Sequence, residues 1–194
     1  MRTIVAILCL SFSCFAAEQQ AVFAGGCFWG VEAVFENLKG VIDVRSGYSG
    51  GTAKTANYQD VSYGRSTHAE AVEVRFDPAK ITYEQLLYIF FAVAHDPTEV
   101  NRQGPDVGPQ YRSAIFYTDE KQKKAALDFI AAVNKSKAFE KPVATEVAPL
   151  AEFFVAEKYH QNYLSLHPDE PYIVVNDLPK LEALKQKFPD LYKK

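Results

Sequence analysis

The sequence is poor in sulfur and has few of the features that nucleic-acid-binding or disordered chains share. Its 194 residues include three cysteines, one methionine and one tryptophan. The cysteines are Cys9, Cys14 and Cys27, so the chain after Cys27 contains no thiol. The formal net charge is −3 and no basic stripe is present, which argues against a nucleic-acid partner. The hydrophobic fraction of 48% indicates a globular chain rather than a disordered one.

No apolar run in the sequence is long enough to span a membrane, because a spanning helix needs roughly 20 apolar residues. The opening letters MRTIVAILCLSFSCFAA instead give one basic residue, a shorter apolar run and small residues that offer a cleavage site. We therefore predict a signal peptide over residues 1–16 and a single mature domain over residues 17–194. The predicted location is the bacterial periplasm, with no membrane association after cleavage. An uncleaved anchor and a lipid anchor at Cys14 are the alternatives.

Hydrophobic periodicity predicts alternating strands and helices around a central sheet, which is typical of a mixed α/β domain. Strands are expected at residues 20–26, 41–44, 68–76, 112–118 and 143–147. Helices are expected at residues 27–38, 82–94, 119–134 and 155–166, and a short helix is expected after an irregular segment at the end of the chain.

Cys27 lies at a predicted strand-to-helix turn, in the stretch AGGCFWGVEAVF. A thiol attacks as thiolate, and the partial positive charge of a helix N-terminus favours that anion. Gly25 and Gly26 permit a tight turn and leave room for a substrate, while Phe28 and Trp29 add apolar walls. The position predicts a nucleophile. The alternative is a buried structural cysteine among core aromatics.

Glu70 is a candidate general acid. Strict alternation in HAEAVEVRF puts its side chain on the same strand face as the apolar residues of that strand. A carboxyl group on an apolar face loses water, which favours its protonated form and suits a general acid near neutral pH. The alternative is a carboxylate at the strand edge that pairs with Arg45 or Arg102.

Two loops add three further candidates for the same pocket. The connection from residue 95 to residue 111 is long for a compact domain, and loops of that length are usually functional or disordered. It carries Asp106 and Tyr111. Tyr58 lies in an earlier glycine-rich loop, and its hydroxyl could reach the same site.

The chain resembles the A-type peptide methionine sulfoxide reductases in six stretches: GGCFWGVE, GYSGG, NYQDV, GRSTHAEAVEVRFDP, HDPTEVNRQGPDVGPQYRSAIFY and AEKYHQNYL. They run in order from about residue 22 to residue 166. The resemblance implies a two-layer α/β sandwich around a mixed sheet with a ferredoxin-like core. It also implies thiol-dependent reduction of the S epimer of methionine sulfoxide, in proteins and in the free amino acid, without a bound cofactor. We expect a monomer.

The resemblance implies a role for each catalytic candidate. Cys27 would attack the sulfoxide sulfur and become a sulfenic acid. Glu70 would protonate the sulfoxide oxygen, and Tyr58 and Tyr111 would hydrogen-bond to that oxygen. Asp106 would help to organise the site.

The resemblance further assigns Phe28 and Trp29 to the pocket for the substrate's S-methyl group. The sequence departs from a common pattern of the family, because no resolving cysteine follows Cys27 in this chain. We therefore expect an external thiol to reduce the sulfenic acid, either a thioredoxin-like or glutaredoxin-like protein or glutathione. A second departure is Pro105, which stands where relatives often have asparagine and is expected to shift the loop modestly.

Three other functions are consistent with parts of the sequence. A cysteine hydrolase would use Cys27 with His160 as base and Asn162 or another polar residue as the group that orients it. A binding module would hold methionine-containing peptides without turnover. A metal site would use Glu157 and His160, which a helix would place on one face, but the four histidines are dispersed and we expect polar support or a hydrogen-bonded pair there.

Overall fold

The computed structural model of the protein describes residues 17–193, so the predicted signal peptide lies outside the described residues. Within this range no helix is long and apolar enough to cross a bilayer. The strands are β1 Gln19–Gly25, β2 Val41–Ser49, β3 Ala69–Phe76, β4 Arg102–Gln103, β5 Asp106–Val107, β6 Ser113–Tyr117, β7 Glu146–Pro149 and β8 Phe153–Val155. The α-helices are α1 Phe28–Glu36, α2 Tyr58–Ser62, α3 Tyr83–Ile89, α4 Glu120–Ser136, α5 Tyr163–Leu166, α6 Pro171–Asn176 and α7 Leu178–Lys187.

A six-stranded mixed sheet forms the centre of the fold, in the order β7-β6-β1-β3-β2-β8. The pair β6–β7 is parallel and the other neighbours are antiparallel. The elements β1-α1-β2-β3-α3-β6 follow a βαββαβ order with β1 and β3 in the middle, which is a ferredoxin-like core. The predicted fold class is thus confirmed.

The sheet topology brings the turn after β1 close to the start of β3. The two strands are antiparallel neighbours, and Phe23 is paired with Val72. The end of β1 therefore lies beside the beginning of β3, which carries Glu70. On the other side Gly25 is paired with Ser113 at the start of β6. Three strand ends thus meet where α1 begins.

Side chains of the central strands alternate between two faces, as the period of a strand requires. On one face Phe23, Val72 and Val74 pack in the main core, together with residues of α1, α3, α4 and α7. On the other face Ala69 and Ala71 belong to a smaller cluster. The predicted orientation of β3, with Glu70 towards the main core, agrees with this arrangement.

Most predicted elements are present, but the predicted strand at residues 143–147 lies instead at Glu146–Pro149, and four other segments differ from their predictions. The predicted strand at residues 41–44 continues to Ser49, and α3 ends at Ile89 before a π-helical turn over Phe90–Ala94. The predicted helix at residues 155–166 is wrong, because this segment contains the end of β8, a 3-10 turn over Lys158–His160 and the four-residue helix α5. The last segment contains two helices, α6 and α7, rather than one.

Candidate active site

The turn that carries Cys27 is tightly packed. Cys27 is the N-cap residue of α1, and Gly26 before it has a φ of 95°, which favours glycine. A Cβ atom on Gly26 would lie 2.6 Å from Cγ of Gln103, and one on Gly25 would lie 2.9 Å from Cε2 of Phe90. The two glycines therefore allow close packing of the turn against its neighbours. This differs from the prediction that they leave space for the substrate.

The thiol of Cys27 is buried, with 9% of the residue exposed. Burial raises its pKa well above the usual value, and the negative charge of Glu70 acts in the same direction. A hydrogen bond from the backbone N–H of Trp29 opposes that shift. The prediction that the helix N-terminus favours the thiolate is therefore corrected for the free protein. In the free protein at neutral pH the side chain is a buried thiol at the first turn of α1.

Glu70 is 2% exposed, and its Oε2 accepts a hydrogen bond from the backbone N–H of Phe28 at 3.1 Å. Burial raises the pKa of Glu70 to about 8, the bond from Phe28 opposes this, and the charge of Asp106 adds to it. The carboxyl group therefore keeps its proton at neutral pH. Because Phe28 follows Cys27 directly, this bond holds a protonated acid next to the thiol.

The alternative of an ion pair for Glu70 is wrong, because both arginines have other partners. Arg45 pairs with the buried Glu73 on the opposite face of β3. Arg102 pairs with Glu99 at 3.3 Å. Neither Arg45 nor Arg102 therefore holds Glu70 ionised.

Tyr58 and Tyr111 lie near both reactive groups. Burial raises the pKa of Tyr58 to about 12, and the charges of Glu70 and Cys27 contribute to the rise. The pKa of Tyr111 is also raised, by burial first and then by Glu70. Both phenols keep their protons at neutral pH and are able to donate hydrogen bonds. The charge of Asp106 also raises the pKa of both tyrosines, so Asp106 lies close to them.

Asp106 begins the second strand of a hairpin, where it pairs with Gln103. Pro105 is exposed in the turn of this hairpin, after Gly104, which has a φ of 54°. The carboxylate of Asp106 accepts a hydrogen bond from the hydroxyl of Tyr172. The hairpin and the bond from Tyr172 thus fix Asp106 near Glu70. The turn accommodates Pro105 because the proline is exposed.

Two aromatic side chains follow Cys27 on α1 and have different surroundings. Phe28 is 1% exposed and belongs to the core, with its ring 4.9 Å from that of His160. Trp29 is half-buried and stacks on Tyr163 with ring centroids 3.8 Å apart and an interplanar angle of 8°. The edge of Tyr172 meets Trp29 at 5.9 Å. The accessible apolar wall is therefore the indole, supported by two tyrosines.

Sequence reasoning did not identify Tyr163 and Tyr172, and it predicted polar support from Glu157 without naming the groups that Glu157 binds. Tyr163 and Tyr172 contact Trp29 as described. Glu157 accepts hydrogen bonds from the backbone N–H of Tyr58 at 2.9 Å and from the hydroxyl of Tyr48 at 2.8 Å. The stretch AEKYHQNYL signalled that this region matters. Its partners could not be identified, because the region was predicted to be a regular helix.

The geometry does not support the hydrolase. Nδ1 of His160 accepts a hydrogen bond from Nε1–H of Trp29 at 3.1 Å, so this nitrogen is occupied by the indole and does not act as a base for Cys27. The backbone N–H of Asn162 donates to Glu32. His160 and Glu157 are linked only through their backbones, by a bond of 2.9 Å within the 3-10 turn. Residues 17–193 contain no group of three or more His, Cys, Asp or Glu side chains that could hold a metal ion.

Comparison with known proteins gives consistent matches. A family model described as "Peptide methionine sulfoxide reductase" matches residues 19–192. The chain is 53% identical over 175 residues to "Peptide methionine sulfoxide reductase MsrA 2" of Synechocystis sp., which covers 90% of this chain and 82% of that protein. It is similar to the structure of methionine sulfoxide reductase A of Corynebacterium diphtheriae, with a TM-score of 0.74 and 34% identity over 79% of this chain and 76% of that one.

The chain is also similar to Mxr1 from Saccharomyces cerevisiae. The reduced form of Mxr1 gives a TM-score of 0.74 at 32% identity, over 79% of this chain and 88% of that one. A structure of Mxr1 in complex with Trx2 gives a TM-score of 0.53 at 22% identity, over 80% of this chain and 90% of that one, and shows a similar fold.

Proposed function

The chain belongs to the peptide methionine sulfoxide reductase family, and from that membership we propose that it reduces the S epimer of methionine sulfoxide with Cys27 as nucleophile. The protein is thus an oxidoreductase. One observation carries the assignment of the site. The protonated carboxyl group of Glu70 is hydrogen-bonded to the N–H of Phe28, the residue next to the thiol. A sulfoxide is a poor electrophile until its oxygen receives a proton, and this arrangement supplies the proton and the nucleophile together.

In the proposed reaction Sγ of Cys27 attacks the sulfoxide sulfur while Glu70 protonates the sulfoxide oxygen. The oxygen is transferred to Sγ, methionine leaves, and Cys27 becomes a sulfenic acid. The thiol proton of Cys27 replaces the one that Glu70 gave away. The substrate sulfur gains two electrons and Sγ loses two, so atoms, electrons and protons balance. Tyr58 and Tyr111 donate hydrogen bonds to the oxygen as its negative charge develops.

Selectivity for one epimer follows from the directions in which the groups approach. The sulfoxide oxygen points to Glu70 and its two tyrosines, and the methyl group lies on the wall formed by Trp29. The remainder of the substrate leaves the pocket in a third direction, and Sγ approaches from a fourth. A sulfur centre that meets all four requirements has a single configuration, so the R epimer is expected to misplace its oxygen or its methyl group.

Recovery of the thiol is proposed to need an external reductant, because Cys27 has no later cysteine as partner. A thiol of a thioredoxin-like or glutaredoxin-like protein, or of glutathione, would attack the sulfenic acid and release water as a mixed disulfide forms. A second thiol would then free Cys27 and leave the reductant oxidised. The similar protein Mxr1 forms a complex with Trx2, which supports the proposal of a thioredoxin-like partner.

Repair of exported proteins is proposed as the biological role. The signal-peptide pattern of the opening residues supports it, as does the absence of a second thiol in the predicted mature domain. In an oxidising compartment a lone reactive cysteine cannot form a wrong internal disulfide. The substrate would be methionine sulfoxide in proteins and peptides and as the free amino acid. The protein would act as a monomer.

A single-turnover experiment tests the reaction. The full chain with Cys9→Ser and Cys14→Ser, in which Cys27 is the only thiol, is mixed with S- and R-sulfoxide substrates without a reductant. We expect about one equivalent of methionine from the S epimer alone, with loss of the free thiol. The matched variant with the additional change Cys27→Ser should yield no methionine.

Methionine from neither epimer, with the thiol intact, would contradict the proposed reaction. Methionine from the Cys27→Ser variant would show that another group is the nucleophile. Binding of the sulfoxide by both proteins without turnover would indicate the binding module instead.

A further inference from the structure

His160 lies within a cluster of aromatic side chains beside Cys27. It is the last residue of the 3-10 turn Lys158–His160 and is 1% exposed. Its ring lies 4.9 Å from that of Phe28, 5.9 Å from that of Trp29 and 4.4 Å from that of Tyr58. One buried side chain thus contacts three residues that the proposed reaction uses, although it has no bond to the thiol or to the acid.

The hydrogen bond between Trp29 and His160 determines which nitrogen of the imidazole carries a proton. An indole N–H can only donate, so Nδ1 of His160 must be the unprotonated nitrogen of a neutral ring. The proton then lies on Nε2, which is buried and has no partner within residues 17–193. A protonated imidazole would present N–H groups from both nitrogens and would lose the bond to the indole.

The surroundings of His160 favour the neutral ring. Burial lowers its pKa, and the carboxylate of Glu157 opposes that shift. The other titratable groups that face the ring are the phenols of Tyr58, on α2, and Tyr159, on its own turn. Lys158 of the same turn is exposed to solvent. Neutral His160 is therefore the form present around pH 7.

Trp29 needs such support because its side chain is only partly buried. Tyr163 covers one face of the indole and Tyr172 meets it edge-on, but stacked rings can slide against each other at little cost. The bond to Nδ1 is directional and fixes the rotation of the indole in its own plane. It is the one contact of these that determines where the apolar edge of the indole lies.

We propose that His160 is a positioning residue of the substrate pocket, which acts through its hydrogen bond to Trp29 and orients the indole for the S-methyl group. This role rests on the proposed function, since it concerns how the sulfoxide is bound. It assigns no proton transfer to His160. The role is expected to affect binding more than the chemical step.

Two substitutions separate the hydrogen bond from the packing. His160→Phe keeps a ring of similar size but has no acceptor, whereas His160→Asn places its Oδ1 where Nδ1 lies and has no ring. For His160→Phe we expect KM for an S-sulfoxide to rise about fivefold to tenfold, as loss of one hydrogen bond implies, with kcat within about twofold. His160→Asn should bring KM back towards that of the wild type. In a Trp29→Phe background His160→Phe should add no further increase.

The emission of Trp29 provides a readout that does not depend on turnover, because Trp29 is the only tryptophan in the chain. We expect the wild-type emission to change through a transition below pH 6.5, as His160 gains a proton and the bond breaks. The transition should be absent in His160→Phe. A separate change near pH 8 would report Glu70, and the variant Glu70→Gln identifies it.

An unchanged KM in His160→Phe, or an acid transition that persists in that variant, would overturn the role of His160. An equal rise in KM on His160→Phe in the wild type and in the Trp29→Phe background would do the same. If His160→Phe fails to fold, the wild-type emission and His160→Asn still decide the question. A wild type that reduces no sulfoxide but shows the transition would contradict the proposed function alone.

Discussion

At the scale of single residues, Glu70 shows how far a strand pattern can predict chemistry. Alternation placed this carboxyl on the apolar face of β3, and the structure places it there at 2% exposure. The consequence for its proton also follows from physics, since desolvation favours the neutral acid. The neighbour of the carboxyl could not be predicted. The bond to the N–H of Phe28 depends on β1 and β3 being paired, which no local pattern reveals.

The pKa of about 8 for Glu70 predicts a pH dependence of the single-turnover rate. Because the acid form is required, the logarithm of the rate should lose one unit of slope as the pH rises through about 8, whatever its slope below that value. Glu70→Gln should slow the reaction by at least about a hundredfold, the low end of general-acid contributions, and remove the break. Rapid-quench measurements between pH 6 and pH 10 would test both expectations.

Glu73→Gln is the matched control, since Glu73 lies on the same strand but faces the other side and pairs with Arg45. It should leave the rate and the break unchanged. A Glu70→Gln variant with full activity at neutral pH would show that Glu70 is not the acid.

At the scale of elements, the sequence identified the strongly periodic segments and failed where long-range polar contacts decide the structure. Five predicted strands are present, and the Thr82–Gln85 capping box begins α3. The segment after residue 155 has helical spacing, yet the side chain of Gln161 pairs with both backbone groups of Ser46 on β2. These bonds hold the segment beside the sheet and compete with a continuous helix. Periodicity reports which side chains are apolar and cannot report such partners.

The same segment supports α2, the helix that carries Tyr58. A five-residue helix has little stability of its own. Its first turn is capped twice, by Asn57, which accepts from the N–H of Asp60, and by Glu157, which accepts from the N–H of Tyr58. Glu157 also accepts from Tyr48, whose position on β2 is directly opposite Glu70. The place of Tyr58 therefore depends on a carboxylate far away in the sequence.

Removal of this second cap should impair the reaction through Tyr58. For Glu157→Ala we expect kcat for the S-sulfoxide to fall about tenfold and the free energy of unfolding to fall by about 1–2 kcal/mol, as for loss of a helix cap. Glu157→Gln keeps an acceptor for the N–H of Tyr58 and should retain most of kcat. Steady-state kinetics and urea unfolding would measure the two effects.

Tyr48→Phe is the control, because it removes the other bond to Glu157 and leaves the cap on Tyr58. It should reduce stability more than kcat. If Glu157→Ala has wild-type kcat despite reduced stability, Glu157 is structural and Tyr58 is held by other contacts.

At the scale of the whole molecule, the final segment forms part of the active-site wall. The sequence predicted an irregular stretch and one short helix there. The structure shows α7 packed against α1 and Ile173 of α6 in one apolar cluster with Ala33 of α1, while the hydroxyl of Tyr172 donates a hydrogen bond to Asp106. Lys193 donates to the backbone carbonyl of Glu36 at the end of α1. The segment is held by contacts with parts of the chain that precede it by more than 60 residues, which explains why local patterns missed it.

Glu32 on α1 contributes to the stability of the whole molecule in a pH-dependent way. It is 1% exposed, and its Oε2 accepts a hydrogen bond from the N–H of Asn162 at 3.0 Å. Burial raises its pKa from 4.5 to about 8, and the charge of Glu36 adds to the rise. Because the folded protein prefers the protonated form, this contribution to stability is fully present below about pH 4.5 and is lost as the pH rises towards 8.

The variant Glu32→Gln, which is neutral at every pH and still accepts from Asn162, should therefore gain stability relative to the wild type as the pH rises. A full shift from 4.5 to about 8 would correspond to about 5 kcal/mol, and relaxation around the buried carboxyl reduces this, so we expect a relative gain of about 2–4 kcal/mol between pH 5 and pH 9. Urea unfolding at the two pH values measures it. Glu84→Gln, an exposed change on α3, should show the same difference from wild type at both. A Glu32→Gln variant that behaves like Glu84→Gln would mean that Glu32 ionises in the folded protein as easily as in the unfolded chain, and that water or a cation reaches it.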